Sequence, residues 1–216
     1  MNTNVLRKIK EIKAKIIIFD IDGTLKDLCK EHDNALRLTL KRFNVGGKRR
    51  KIICTLNRIA MSMVKVGLFP TNNVMQQILL FTYSLISLKH IKKFYKEYNE
   101  NYSKQICLFR GEEELLEALT TDKQIYFSTI NKQNYNLEEC GIPQERIVYT
   151  TGIFKWKTYA KLLEDKSFSK EEVLIVGDNI FDDLLSSKIL KVKCLLVNNY
   201  NSKLKAKLCK LFNKST

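Results

Sequence analysis

Two short apolar runs in this chain each end in acidic side chains. Asp20 and Asp22 follow Ile16 to Phe19, and Asp178, Asp182 and Asp183 follow Val173 to Val176 with Gly177 between. A third run, Ile125 to Phe127, ends in the hydroxyls of Ser128 and Thr129, and Lys155 and Lys157 stand just before a helical stretch between the second and third of these places. Carboxylates gathered in one crevice repel each other, so either their pKa values rise or a cation neutralises them. A hard divalent ion is the simpler answer. Only oxygen ligands are on offer, with histidine limited to His32 and His90, so magnesium suits the set better than zinc.

The elements that would position these groups follow from hydrophobic patterning. Ile16 to Phe19 is continuous and rich in β-branching, as in a strand buried on both faces of a parallel sheet. Before it, Asn4 to Lys13 sets Val5, Leu6, Ile9 and Ile12 among lysines at amphipathic helical spacing. From Lys26 to Ile106 the chain reads as long helical stretches, broken at Gly46-Gly47 and from Gly67 to Asn73, where Pro70 marks a turn. After Gly111 short segments alternate: helical Glu112 to Leu119, extended Ile125 to Phe127 and Ile147 to Tyr149, helical Lys157 to Leu163, extended Val173 to Val176, helical Asp182 to Leu190 and extended Leu195 to Val197. Such alternation predicts an α/β fold with a parallel sheet, whose ligands sit outside the carboxyl ends of the strands. Ser169 with Glu172 three residues on reads as a capping box over a single turn before a strand.

Taken singly, Asp22-Gly23 and Gly177-Asp178 are ordinary turn signals, a lone hydroxyl can cap a helix, and a lone lysine is usually a solvated charge. In combination, Asp20-Ile21-Asp22-Gly23-Thr24-Leu25 and Val176-Gly177-Asp178-Asn179-Ile180-Phe181-Asp182-Asp183 resemble the first and fourth motifs of the haloacid-dehalogenase-like superfamily. The resemblance runs from Ile16 to Val197 and implies a Rossmann-like parallel core, residues 1–25 and 107–216, with an inserted α-helical cap over 26–106. It implies a phosphatase in which Asp20 attacks phosphorus to give an aspartyl-phosphate and Asp22 protonates the leaving oxygen and then activates water. Asp22 also weighs against halide displacement, because dehalogenases of the family lack this second aspartate. The resemblance makes Asp20 and Asp178 direct magnesium ligands, with Asp22 through its carbonyl and Asp182 helping through water or by orienting its neighbours, and leaves Asp183 a bystander. Gly23 and Thr24 fall among the substrate contacts.

Charge spreading over a transferring phosphoryl group calls for a hydroxyl at a strand end and a fixed ammonium. Ser128 and Lys155 are the candidates, with Thr129 and Lys157 as alternatives that would otherwise contact substrate. Lys155 stands four residues before Tyr159 and twenty-three before Asp178, which matches the family's spacing better than Lys157 does. One departure from the family pattern is Leu190, where a small residue, often glycine, tends to close the helix before the next strand.

Composition narrows the class further. The 216 residues are 44% hydrophobic, enough for one globular core carrying an insertion. The six cysteines are scattered without a paired spacing, as in reduced residues of a cytoplasmic protein. The basic start leads into only four apolar residues before Asp20, unlike a signal peptide, and the longest apolar stretch, Ile78 to Leu88, is too short for a membrane span. The formal charge of +15 attracts anions, whether phosphorylated metabolites, nucleic acid or lipid headgroups, and reads most simply as solvated lysine faces.

A cap excludes water and favours small phosphorylated substrates, phosphosugars or similar metabolites, over macromolecules. Arg49, Arg50, Lys51, Arg58 and Lys65 offer anion contacts on it, and Gly111 with Leu115 and Leu116 resembles the return from cap to core. Phosphotransfer back to a sugar, hydrolysis of nucleotide or polynucleotide-end phosphates, and a non-catalytic anion-binding module are the competing readings. No obligatory nucleic acid and no membrane partner are expected.

Overall fold

The computed structural model describes residues 3–65, 90–105, 107, 123–129, 143–150, 154–166 and 168–197. The segments expected at Glu112 to Leu119, at Ile78 to Leu88, and at Gly111 with Leu115 and Leu116 lie outside the described residues.

Five strands form one parallel sheet in the order β3-β2-β1-β4-β5. They are β1 (Ile16–Asp20), β2 (Gln124–Thr129), β3 (Ile147–Tyr149), β4 (Val173–Gly177) and β5 (Lys193–Leu196). Side chains alternate between the faces of a strand, and the continuous apolar runs therefore feed two cores. Ile17, Phe19, Leu174 and Val176 join one cluster, completed by Ile9 of helix α1 (Thr3–Glu11). Ile16, Ile18, Val173 and Ile175 join the other, completed by Tyr159, Leu162 and Leu163 of α5 (Lys155–Lys166). The result is a three-layer α/β fold. Every residue of β1 and β4 is buried.

Between β1 and β2 the chain forms α2 (Leu28–Arg42), α3 (Gly47–Lys65) and α4 (Ile91–Ser103). These helices bury a separate cluster, with Leu36, Leu40, Ile53, Met61, Phe94 and Tyr98 among its members. Asp27 caps α2, its Oδ1 accepting from the Lys30 amide at 3.0 Å. Near Gly46-Gly47 the left-handed residue is Asn44, with φ 50°, an amino acid that tolerates this conformation where helices end. Among the described residues no helix is long and apolar enough to cross a membrane.

Two features of the last third differ from the pattern-based reading. The helix expected to begin at Asp182 opens as a wide π turn over Ile180–Leu184 and continues as α6 (Leu185–Leu190). The residue that closes it is Lys191, in the left-handed conformation at φ 57°. The capping box of Ser169 and Glu172 is present over a single 3-10 turn before β4.

Candidate active site

The sheet order reverses direction at β1, which has β2 on one side and β4 on the other. In open parallel sheets such a switch point leaves a crevice at the carboxyl ends of the strands. Register brings the functional groups there: Asp20 pairs with Ser128, and Phe19 pairs with Val176, one residue before Gly177 and two before Asp178.

Asp20, Asp178 and Asp183 gather at this crevice, with ligand oxygens all within 4.8 Å of one another and all three residues buried. The Lys155 ammonium donates to Asp20 Oδ1 at 2.5 Å and to Asp183 Oδ1 at 2.9 Å. Thr24 Oγ1 donates to the other oxygen of Asp20 at 3.4 Å. Burial holds the Asp20 carboxyl well above the ordinary carboxylate range, Lys155 opposes that push, and Asp183, Asp178 and Asp22 reinforce it. Burial alone would lower the Lys155 ammonium, yet Asp183 and Asp20 hold it well above the ordinary lysine value. With nitrogen and oxygen at 2.5 Å, the Lys155–Asp20 contact is a charged pair.

The cluster tests the fit of a metal. Lys155 pairs with Asp20 and Asp183, and Asp178 brings a third buried carboxylate into the same group of ligand oxygens. An all-oxygen, anionic, buried set of this kind is suited to a hard divalent ion such as magnesium.

Asp183, which the sequence reading left aside, lies within the cluster. The π turn carries its carboxylate inward, where Oδ2 accepts from the Asn179 amide at 3.0 Å while Oδ1 faces Lys155. Asp182 does not join the cluster of ligand oxygens. It is buried, its Oδ1 has no hydrogen-bond partner, and burial pushes its carboxyl up to about 6, against the pull of Lys155 and with the push of Asp183 and Asp178. Glycine makes both approaches possible. A Cβ on Gly23, whose φ is +89°, would lie 2.6 Å from Asp178 Oδ2, and a Cβ on Gly177 would overlap the Asp183 carboxylate.

The hydroxyl candidates take different partners. Ser128 is fully buried and its Oγ accepts from the Tyr159 hydroxyl at 2.6 Å. Thr129 Oγ1 donates to Asp22 Oδ2 at 3.1 Å, an interaction that orients the half-buried Asp22 carboxylate. Of the two lysines, Lys155 lies in the cluster. The ammonium of Lys157 sits instead over the rings of Phe154 and Trp156, 5.1 and 5.6 Å from their centroids. Tyr159, which the sequence reading named only for its spacing from Lys155, is the residue that bonds Ser128. Four residues along a helix return to the same face, which was the available signal.

A wide groove of about 690 Å³ runs along β3 and α5, between Tyr126, Ile147, Tyr149 and Leu162, and no residue of the carboxylate cluster lines it.

The family model described as haloacid dehalogenase-like hydrolase matches residues 17–197 of this chain. Among solved structures, the HAD-hydrolase YfnB of Bacillus subtilis, bound to magnesium, is 17% identical with a TM-score of 0.68, over 93% of this chain and 99% of that one. A hydrolase from Streptococcus pneumoniae TIGR4 is 18% identical with a TM-score of 0.60, over 93% and 99%. A protein from Clostridium difficile named as a phosphatase is 18% identical with a TM-score of 0.60, over 92% of each chain. At these identities the likeness shows the fold. No curated protein matches the chain.

Proposed function

Since the chain belongs to the haloacid dehalogenase-like hydrolase family, and is thereby a hydrolase, we propose that it is a magnesium-dependent phosphatase acting on a small phosphomonoester through an aspartyl-phosphate. The observation that carries this reading is Asp20 at the end of β1, buried against Lys155 and grouped with Asp178 and Asp183.

In the proposed first step an Asp20 oxygen attacks phosphorus while the bond from phosphorus to the ester oxygen breaks. The Asp22 carboxyl, held by Thr129, gives its proton to the departing oxygen. In the second step Asp22 takes a proton from water, the water oxygen bonds to phosphorus, and the Asp20–phosphorus bond breaks to release inorganic phosphate. Lys155 and the Ser128 hydroxyl supply donors for charge on the equatorial oxygens. Magnesium held by Asp20, Asp178 and Asp183 would supply charge neutralisation that lets an anionic nucleophile approach an anionic ester. The Asp22 side chain is assigned to proton transfer, and its backbone carbonyl would be a further oxygen for the ion.

The helices between β1 and β2 have their own apolar core, which supports reading residues 26–106 as a cap over the site. A closing cap favours a small substrate, a phosphosugar or similar metabolite. The lining of the site is acidic apart from Lys155, so the +15 surface charge is assigned to drawing phosphorylated molecules in. The test is phosphate release from sugar, polyol and nucleotide phosphates, with magnesium and with a chelator in its place. Turnover is expected with magnesium and not with chelator, and is lost in Asp20→Asn. Release that survives in Asp20→Asn would overturn the mechanism.

A further inference from the structure

A cavity of about 390 Å³ lies at the amino ends of β4 and β5, on the rim of the sheet opposite the carboxylate cluster. Three separate pieces of chain bring lysine to it: Lys170 from the turn before β4, Lys188 and Lys191 from the end of α6, and Lys193 from the first position of β5. Glu171 is the acid on its wall. Ile12, Leu184 and Val192 give it apolar surface.

Charge sets this cavity apart from two others. The groove beside β3 balances Arg146 and Lys161 against Glu145 and Asp165, and a cavity of about 260 Å³ between α2 and α3 balances Lys30 and Arg58 against Asp27 and Asp33. Here four ammonium groups meet one carboxylate. All four lysines are exposed, and among the described residues none of them forms an ion pair. Glu172, next to Glu171 in the chain, is taken by Lys15. A lysine-rich composition scatters solvated charges over a surface, whereas here three segments converge on one concave place and like charges raise each other's energy. Lys191 adds a backbone cost, because it holds the left-handed conformation at φ 57°, where glycine alone escapes a penalty.

An anion with several charges fits such a place. Each lysine is a compact point charge with rotatable donors, which suits clustered phosphates, while recognition of a single planar carboxylate favours the fork of arginine, and no arginine is among the described residues that line the cavity. The volume falls within the roughly 300–1,000 Å³ of small-molecule pockets. Val173 and Gly177 mark the two ends of β4, about 13 Å apart along the strand, so a small ligand seated at this rim is separate from the phosphoryl site. We propose that this cavity is a second anion site, which binds a small oligophosphate of two or more linked phosphates. The inference does not rest on the phosphatase reading.

The experiment titrates the full chain with inorganic tripolyphosphate by calorimetry in magnesium-free buffer, so that metal neither binds the probe nor recruits it to the carboxylate cluster. One saturable site is expected, weakening as salt is raised, with orthophosphate at least tenfold weaker. Lys188→Gln combined with Lys193→Gln should lose at least tenfold in affinity, Glu171→Gln should tighten binding, and Asp20→Asn should bind as the natural chain does. Lys48→Gln combined with Lys51→Gln removes the same charge from exposed positions on α3 and should change affinity less than twofold. All the substituted lysines are exposed, so the variants keep the fold, which far-ultraviolet dichroism checks. Absence of saturable binding, equal losses in the two double variants, or loss of binding in Asp20→Asn would overturn the proposal. The first two outcomes would leave these lysines as solvated charge, and the third would put the anion at the carboxyl ends of the strands.

Discussion

The ammonium of Lys26 lies 2.9 Å from Glu31 Oε2, and both side chains are almost wholly removed from water. Lys26 is on the segment leaving β1, and the other oxygen of Glu31 accepts from the backbone amide of Cys107, on the segment returning towards β2, at 2.8 Å. One carboxylate in the first turn of α2 therefore holds both strands of chain that join the helices to the sheet, and the Asp27 amide adds a direct bond to the Cys107 carbonyl at 2.7 Å. Removing one member of a buried pair leaves the other uncompensated, at a cost of about 3–5 kcal/mol. Lys26→Met is expected to lower stability by that order in urea denaturation. A loss below about 1 kcal/mol would show that the pair does not secure the junction.

The same carboxyl makes stability depend on pH. Burial, opposed by Lys26 and by the Cys107 amide, pushes Glu31 from 4.5 up to about 7. Its folded value is raised, so between these two pH values the folded state binds more protons than the unfolded state, and stability falls as pH rises. The contribution is fully present below pH 4.5 and lost above about 7. Denaturation midpoints measured from pH 5 to 8 are expected to fall more steeply in the natural chain than in Glu31→Gln. Parallel curves would remove Glu31 as the cause.

Asp182 and Asp183 are neighbours with opposite surroundings, and their asparagine variants are expected to separate accordingly. Asp183→Asn takes a charge partner from buried Lys155 and should cost about 3 kcal/mol, together with a fall in turnover of about 100-fold, the order seen when one electrostatic stabiliser is lost. Asp182→Asn removes a buried carboxyl with an unpartnered oxygen. Its raised pKa of about 6 means the ionised form weakens the fold above that pH, so this variant is expected to be the more stable one at pH 8. Turnover and denaturation of the two proteins side by side check both statements. The reverse ranking would return Asp182 to the centre of the site.

Glycine at 177 is explained by Asp183. A methyl group there would overlap the Asp183 carboxylate, and extra bulk in a well-packed place costs about 1–3 kcal/mol. Gly177→Ala is expected to lose stability of that order and at least tenfold in turnover, because Asp183 must leave Lys155 to make room. Full activity in this variant would mean that the acid's position is not critical.

These residues also mark how far the sequence can be read. The strands were legible because β1 and β4 are buried on both faces, which leaves unbroken apolar runs, and parallel pairing then forces their ends together. Asp20 and Asp178 could be placed at neighbouring strand ends for that reason, whereas Lys155 was named only by its spacing in the family resemblance. Asp183 could not be placed. An α-helical repeat carries Asp182 to the side that faces Asp178, whereas the turn over Ile180–Leu184 is wider, with the Leu184 and Leu185 amides reaching back five residues to Asn179 and Ile180. One added residue per turn rotates the next aspartate inward, and no local propensity announces it. Tyr159 was hidden for a different reason: a tyrosine in an apolar helix face reads as core, and only its contact with Ser128 gives it a second role.

The closing residue of α6 offers a test of the fold away from the chemistry. Lys191 occupies the left-handed region at φ 57°, with its amide donating back to the Lys188 carbonyl at 3.3 Å. An L side chain pays about 1–2 kcal/mol in that conformation, and part of the relief on changing to glycine is offset by the freer unfolded chain, about 0.4–1 kcal/mol. Lys191→Gly is therefore expected to stabilise by about 0.5–1 kcal/mol in urea denaturation and leave turnover unchanged, because it keeps the backbone bond and lies beyond the carboxylate cluster. Lys191→Ala keeps the strain and should show no gain. If the alanine variant stabilised as much as glycine, the effect would come from losing the lysine and not from its backbone conformation.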